Sequence, residues 1–402
     1  MFQFMTSTRI VFGEGALATS LSTLNQFGYS VLLVTGKAQE RAQPLLSYLN
    51  SQNMRYQHVS VSGEPNIAMI EETAVVGRKF KPDMVVAIGG GSVIDTGKAL
   101  AGIITNFGNV YDYVDVIGRS VPLKTKPLPF IAIPTTAGTG SEVSNKAVLR
   151  SGQDMVKISL RSTLILPDLA IVDPTLTYEM PLEQSARGVF ETFSHLMEAY
   201  VCGDPNPLTD MICEEGLGRL AGSVIPACIN DDKKARSDLA FAAMLGGMAS
   251  SNAKLGAAHG LASSLAGKMM VPHGNIISRL VPYVMRENIE AARLAGRGDI
   301  LSRYKRLSQI MLQKENVAED ECITWVQSTL DRLKMPKLTE FGLCEFSFSD
   351  IARDALHTYS IKGNPLPLNK ERLVYILEQV CACGKQSEGI AGFGMTGMDI
   401  KD

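Results

Sequence analysis

Four short apolar runs punctuate the first third of the chain: residues 29–36 (YSVLLVTG), 56–61, 84–88 (MVVAI) and 130–134 (FIAIP). Each has strand length and most end at glycine or proline, which predicts strands buried on both faces. Helical spacing follows in residues 37–52, in 66–79 and from Ser92 onward. Strands alternating with helices imply βαβ units and a parallel sheet. The pattern changes after Pro181. Residues 183–200, 207–225, 234–270 and 275–295 all carry helical periodicity, with no convincing β-run. The boundary therefore falls near Met180, after an apolar strand at 169–172. The expected architecture is an α/β domain over 1–180, with a Rossmann-like parallel sheet, and an all-α domain over 181–402. Residues 384–402 are Gly- and Met-rich and read as a loosely attached tail.

Composition narrows the function. The 402 residues are 45% hydrophobic and 20% charged, with 39 Lys and Arg against 41 Asp and Glu. A net charge of -2 gives no footprint for nucleic acid. One Trp among 6% aromatics argues against a stacking platform. Seven Cys over so long a chain do not form a disulfide framework; reduced, buried thiols are expected. Cys381 and Cys383 make C-x-C, not the C-x-x-C of a zinc knuckle. The first residues lack the charge-then-apolar order of a signal peptide. No apolar run reaches about 18 residues, so no membrane span is expected, and the compartment is cytoplasmic.

Two glycine loops compete for a dinucleotide. Gly13-Glu14-Gly15-Ala16-Leu17-Ala18 fits G-x-G-x-x-A, but the acid expected about 20 residues later is missing, with Gly36 and Lys37 in its place. Gly89-Gly90-Gly91-Ser92 lies between an apolar strand and a helix that also carries Asp95. Its glycines permit close approach of an anion to a helix N-terminus. On residues alone it is a phosphate cradle or a tight turn. The loop Pro134-Thr135-Thr136-Ala137-Gly138-Thr139-Gly140-Ser141-Glu142 also follows a strand. Its small residues leave room for a ligand at the carboxyl end of a parallel sheet.

Three of the five histidines, His195, His259 and His273, fall in the helical half. Glu191 and His195 stand at i and i+4, on one helix face. His259 is surrounded by Gly256, Ala257, Ala258, Gly260 and Ala262, which leave space. Imidazoles with a carboxylate suit iron, zinc or manganese. Each His alone is as well explained by core packing. His58 and His357 lack such company.

Together these segments resemble the iron-containing, group III alcohol dehydrogenases. The resemblance rests on GGGSVIDTGKA (89–99), PTTAGTGSEVS (134–144), GVFETFSHLMEAY (188–200) and the His259/Pro272-His273-Gly274 pair, with RIVFGEGAL (9–17) and LPDLAIVDPTLT (166–177) in support. It implies a dehydroquinate synthase-like architecture with the site between the domains. It further implies a divalent metal, Fe2+ or Zn2+, held by Glu191, His195, His259 and His273. The cofactor would be NAD or NADP, placed by Gly89, Gly90, Gly91, Ser92, Asp95, Thr135, Thr136, Thr139 and Lys157. The metal would polarise an alcohol or aldehyde oxygen during hydride transfer. A homodimer is implied as well.

The chain departs from the family pattern at three points. Glu191 replaces the usual Asp. Ser263 stands where many members have a proton-relaying His. Gly36 replaces the acid of NAD-specific members, which removes a repulsion against NADP, and Lys37 and Arg41 stand nearby. The substrate pocket is expected along Ser144 to Val148, Phe190 and Leu255 to Ser263. Two alternatives remain on sequence alone: an inert nucleotide-binding or assembly protein, and a dehydroquinate synthase-like lyase.

Overall fold

The computed structural model describes residues 1–6, 8–152 and 156–385. Its first part holds β1 (Arg9–Phe12), α1 (Ala16–Ser20), β2 (Ser30–Gly36), α2 (Gln43–Ser51), β3 (Arg55–Val61), α3 (Ile67–Phe80), β4 (Met84–Gly89), α4 (Gly91–Thr105), β5 (Phe130–Pro134), β6 (Lys146–Ser151), β7 (Val156–Arg161) and β8 (Leu169–Val172). The rest is helical: α5 (Leu182–Val201), α6 (Pro207–Ile229), α7 (Lys233–Asn252), α8 (Ala257–Ala266), α9 (His273–Leu294), α10 (Gly298–Leu312), α11 (Glu321–Arg332), α12 (Phe348–Leu356) and α13 (Lys370–Lys385).

Six strands form a parallel sheet in the order β1-β8-β5-β4-β2-β3. Strand alternation explains its two cores. Leu32, Val34, Val85 and Ala87 pack on one face with α3 and α4. Val31, Leu33, Val86 and Ile88 pack on the other, against α1 and α2. A third core fills the helical half and reaches the sheet at Ala170 and Val172. The fold is thus the expected α/β sheet followed by helices.

Four expectations are corrected. β6 and β7 pair antiparallel as a separate ribbon that the sequence reading did not include. The stretch 234–270 is two helices, α7 and α8, parted at residues 253–256. His259 and His273 therefore sit on separate helices, with α9 starting directly after Pro272. Cys344 and Cys381 form a disulfide across a sequence separation of 37, because packing brings their Cα atoms to 5.8 Å; Cys202, Cys213, Cys228 and Cys322 are buried free thiols, as expected. Finally, α13 continues through Lys385, so residues 384 and 385 are helical, and the rest of the expected tail, 386–402, lies outside the described residues.

Candidate active site

The glycine loop turns directly from β4 into α4. Gly90 caps the helix in extended conformation, and the first turn carries no acid. A Cβ on Gly91 would lie 2.7 Å from Thr139 Cγ2, and one on Gly90 would lie 3.4 Å from Thr136. The two loops therefore meet, and at Gly91 a Cβ would push Thr139 aside. Thr135 N–H donates to Gly89 O at 2.9 Å. Free helix amides, Ser92, Thr136 and Thr139 converge there, which suits a pyrophosphate, whereas Gly89, Gly90 and Thr135 do not line the cleft. The competing loop is closed to such a ligand. Asp173 already accepts from Gly15 N–H at 3.2 Å and Leu17 N–H at 3.1 Å.

Not every small residue of the 134–142 loop serves a ligand. A Cβ on Gly138 would lie 2.7 Å from Gly188 Cα of α5. A Cβ on Gly247 of α7 would fall on Gly140 O, and Gly140 itself adopts φ 60°. These glycines join the α/β and helical halves backbone to backbone. Asp95 is likewise engaged within the protein: it accepts from Ser141 Oγ and from Val148 N–H at 3.1 Å, with Lys98 Nζ at 3.4 Å. Lys98 is fully buried and also donates to Ser144 Oγ at 2.9 Å and Lys146 O at 2.6 Å.

Helices α5, α8 and α9 bring the three histidines together. The His195 and His259 rings stack at 4.8 Å with an 18° interplanar angle, and His273 lies 5.6 Å from His259. His195 Nδ1, His259 Nε2 and His273 Nδ1 are buried without a hydrogen-bond partner. Burial holds the pKa of His195 and His273 well below the ordinary imidazole value; neighbouring His259 and nearby lysine charge add to it. Neutral imidazoles with unused lone pairs are what a divalent metal requires. The donor set therefore fits such an ion. Among the described residues no three His, Cys, Asp or Glu side chains are already gathered at metal-binding geometry, consistent with rings that stack rather than converge.

Glu198, absent from the sequence reading, organises this set. It is 3% exposed, accepts from Ala258 N–H at 2.8 Å through Oε1, and places Oε2 2.5 Å from His259 Nδ1. A carboxylate there caps α8 and keeps the proton on Nδ1, which leaves Nε2 as the donor atom. Asn364 completes the start of α8 by accepting from Ala257 N–H at 3.1 Å. The detectable signal was an acid inside the apolar face of α5, three residues after His195.

A cleft of about 1360 Å³ joins these parts. Gly91, Ser92, Asp95, Thr136, Thr139, Lys157, Glu191, His195, His259, Ser263 and His273 all line it. Burial pushes the Glu191 carboxyl up to about 7, against the opposing pull of Lys157 and Lys146. Lys157 also pairs with Glu64 at 2.5 Å. Phe190, expected in the pocket, is instead fully buried in the helical core. Gly36 ends β2, beside Thr35, whose hydroxyl lies 2.8 Å from His58 Nε2. Arg41 is committed to the Tyr178 carbonyl at 2.9 Å.

A parallel sheet with a glycine loop opening α4, joined to a helical half with a buried histidine set, fits an enzyme that holds a dinucleotide and a divalent metal. Residues 7–174 match the model of the iron-containing alcohol dehydrogenases, and residues 185–381 match that of the Fe-containing alcohol dehydrogenase family, C-terminal. Alcohol dehydrogenase 4 of Saccharomyces cerevisiae is 31% identical, over 92% of this chain and 95% of its own. The NADPH-dependent butanol dehydrogenase of Clostridium saccharobutylicum is 28% identical over 94% of this chain and 98% of its own. The solved iron-containing alcohol dehydrogenase of Thermococcus thioreducens superposes with a TM-score of 0.83 at 29% identity, covering 94% of this chain and 99% of that one. The chain belongs to the iron-containing alcohol dehydrogenase family. It is an alcohol dehydrogenase that uses a divalent metal and NAD(P), and nothing in these relatives favours an inert protein or a lyase. Among the described residues no helix is long and apolar enough to cross a membrane.

Proposed function

We propose that the chain interconverts small alcohols and aldehydes in this cleft, with Glu191, His195, His259 and His273 holding the metal. The observation that carries this reading is the set of three buried, unpartnered imidazole nitrogens. When bound, the metal supplies Lewis-acid polarisation of the substrate oxygen, and the nicotinamide gives or takes the hydride. The protein's residues do the rest. Gly89 to Ser92 and Thr135, Thr136 and Thr139 seat the dinucleotide, and Lys157, paired with Glu64, lines the cleft. Ser263 lines the cleft and passes the proton through its hydroxyl and water, since it cannot itself hold charge near neutrality. Burial of the site keeps water from the reacting atoms. With Gly36 in place of an acid, NADP is admitted beside NAD. The working assembly is a homodimer in the cytoplasm.

The test is anaerobic purification followed by metal analysis of wild type and His259→Ala. Near one Fe or Zn per chain in the wild type, lost in the variant along with activity on an aldehyde panel, is the expected result. No metal after reconstitution, or unchanged turnover in the variant, sinks the assignment.

A further inference from the structure

The β6–β7 ribbon has one apolar and one cationic face. Ala147, Leu149, Ile158 and Leu160 enter the α/β core. The other face turns Lys146, Val148 and Arg150, with Arg161, Ser159 and Lys157 directly opposite, into the cleft. The register sets Lys146 against Arg161 and Arg150 against Lys157. Like charges directly across an antiparallel pair repel. Two of these cations are neutralised: Lys157 by Glu64 at 2.5 Å and Arg161 by Asp115 at 3.1 Å. The other two are not. Among the described residues no carboxylate pairs with Lys146 or Arg150; Arg150 Nη2 meets only Met270 Sδ at 2.7 Å, and its Nε is buried without an acceptor.

Lys146 lines the same cleft as Glu191, His195, His259 and His273. The charged groups that act on it are Arg161 from β7, Asp95 and Lys98 from α4, and Glu191 from α5. Its own charge is felt by His195 and His273. Burial lowers its ammonium to about 8, and Asp95 and Glu191 oppose that shift. Asp95 and Glu191 act on Lys146 without forming an ion pair with it, which leaves its ammonium open to a ligand anion in the cleft. The dinucleotide phosphates have their own seat at the start of α4.

We infer that Lys146 determines specificity, and that the substrate is a small aldehyde or alcohol carrying a carboxylate, which lies on Lys146 while the reacting carbon lies at the histidine set. This rests on the site assignment proposed above.

The test compares 4-oxobutanoate with butanal, matched in length, on metal-loaded wild type, Lys146→Met and Lys146→Arg, at saturating cofactor. Wild type should favour 4-oxobutanoate. A charge-assisted hydrogen bond corresponds to roughly a 10- to 100-fold effect, so the kcat/KM ratio should collapse by about that factor in Lys146→Met, through KM, and be largely kept in Lys146→Arg. In parallel, calorimetric titration of succinate into the enzyme–cofactor complex should weaken by a similar factor in Lys146→Met. An unchanged ratio in Lys146→Met overturns the inference, as does a loss that falls equally on both aldehydes. A weakening of NADPH binding without any change in the ratio does so too, and assigns the cations to a cofactor phosphate. Succinate that binds wild type through Lys146 without turnover of either aldehyde would overturn the proposed dehydrogenase site, and the specificity role of Lys146 with it, and leave only a carboxylate-binding lysine.

Discussion

Glu198→Gln tests how the metal site is held, and its consequence can be worked from the geometry. The carboxylate now satisfies two donors, Ala258 N–H at 2.8 Å and His259 Nδ1 at 2.5 Å. Glutamine has the same shape but only one acceptor oxygen. If that oxygen stays on Ala258 N–H, the amide NH2 faces His259 Nδ1 and donates to it. The imidazole proton must then move to Nε2, which removes the lone pair that a metal needs. If the amide turns the other way, His259 keeps its tautomer, but two N–H donors confront each other at the start of α8. That second arrangement gives up a cap, about 1 kcal/mol. Loss of an outer partner to a ligating histidine typically weakens metal binding about 10- to 100-fold, or roughly 1.4–2.7 kcal/mol. The assay is anaerobic competition for Co2+ or Zn2+ against a chromophoric chelator, with thermal melts of both apoproteins alongside. An affinity within twofold of wild type would refute the argument that Glu198 sets the His259 tautomer.

Three further outcomes are expected. Gly247→Ala should destabilise the protein by about 1–3 kcal/mol because its Cβ falls on the Gly140 carbonyl; Gly218→Ala, with nothing within 4 Å, should stabilise by about 0.5–1 kcal/mol, and denaturant unfolding reads both. Reducing the Cys344–Cys381 bridge, which closes a separation of 37 residues, should lower unfolding stability by about 2–4 kcal/mol; equal midpoints with and without reductant in the buffer would count against it. Buried Glu142, its carboxyl pushed up to about 7, holds a proton in the folded state that the unfolded chain has released above its ordinary value of 4.5. Its contribution to stability therefore falls as pH rises between those values and then levels off. Glu142→Gln should flatten that slope in melts of the metal-free protein from pH 5 to 8, leaving a parallel slope from Glu191.

The centre of the parallel sheet was legible because β2, β4 and β5 are apolar runs closed by glycine or proline, a signal independent of what packs on them. The histidines were legible by type and by the Glu191–His195 spacing. The β6–β7 ribbon was harder. Its strands, KAVLRS and VKISLR, alternate polar and apolar, but each spans six residues and the polar face is cationic. A buried acid on the apolar face of α5 marked Glu198 as unusual, but its partners lie on α8, sixty residues away in the chain, so the local pattern gives no role for it. The disulfide likewise depends on tertiary packing between a 3-10 turn and α13. In the 134–142 loop, small residues were correctly read as making room. For Gly138 and Gly140 the room is filled by another backbone rather than by a ligand.

Those two glycines meet Gly188 and Gly247 along a seam between the halves, and the seam bears on how such proteins can be recombined. Residues 7–174 and 185–381 match two separate family models, which suggests two exchangeable modules. Yet the loop of the first module lies so close to α5 and α7 of the second that a single methyl on either side would collide. A chimera cut near residue 180 therefore needs glycine at all four positions, whichever parents supply them. Successful crossovers should be found only among parents that satisfy this match.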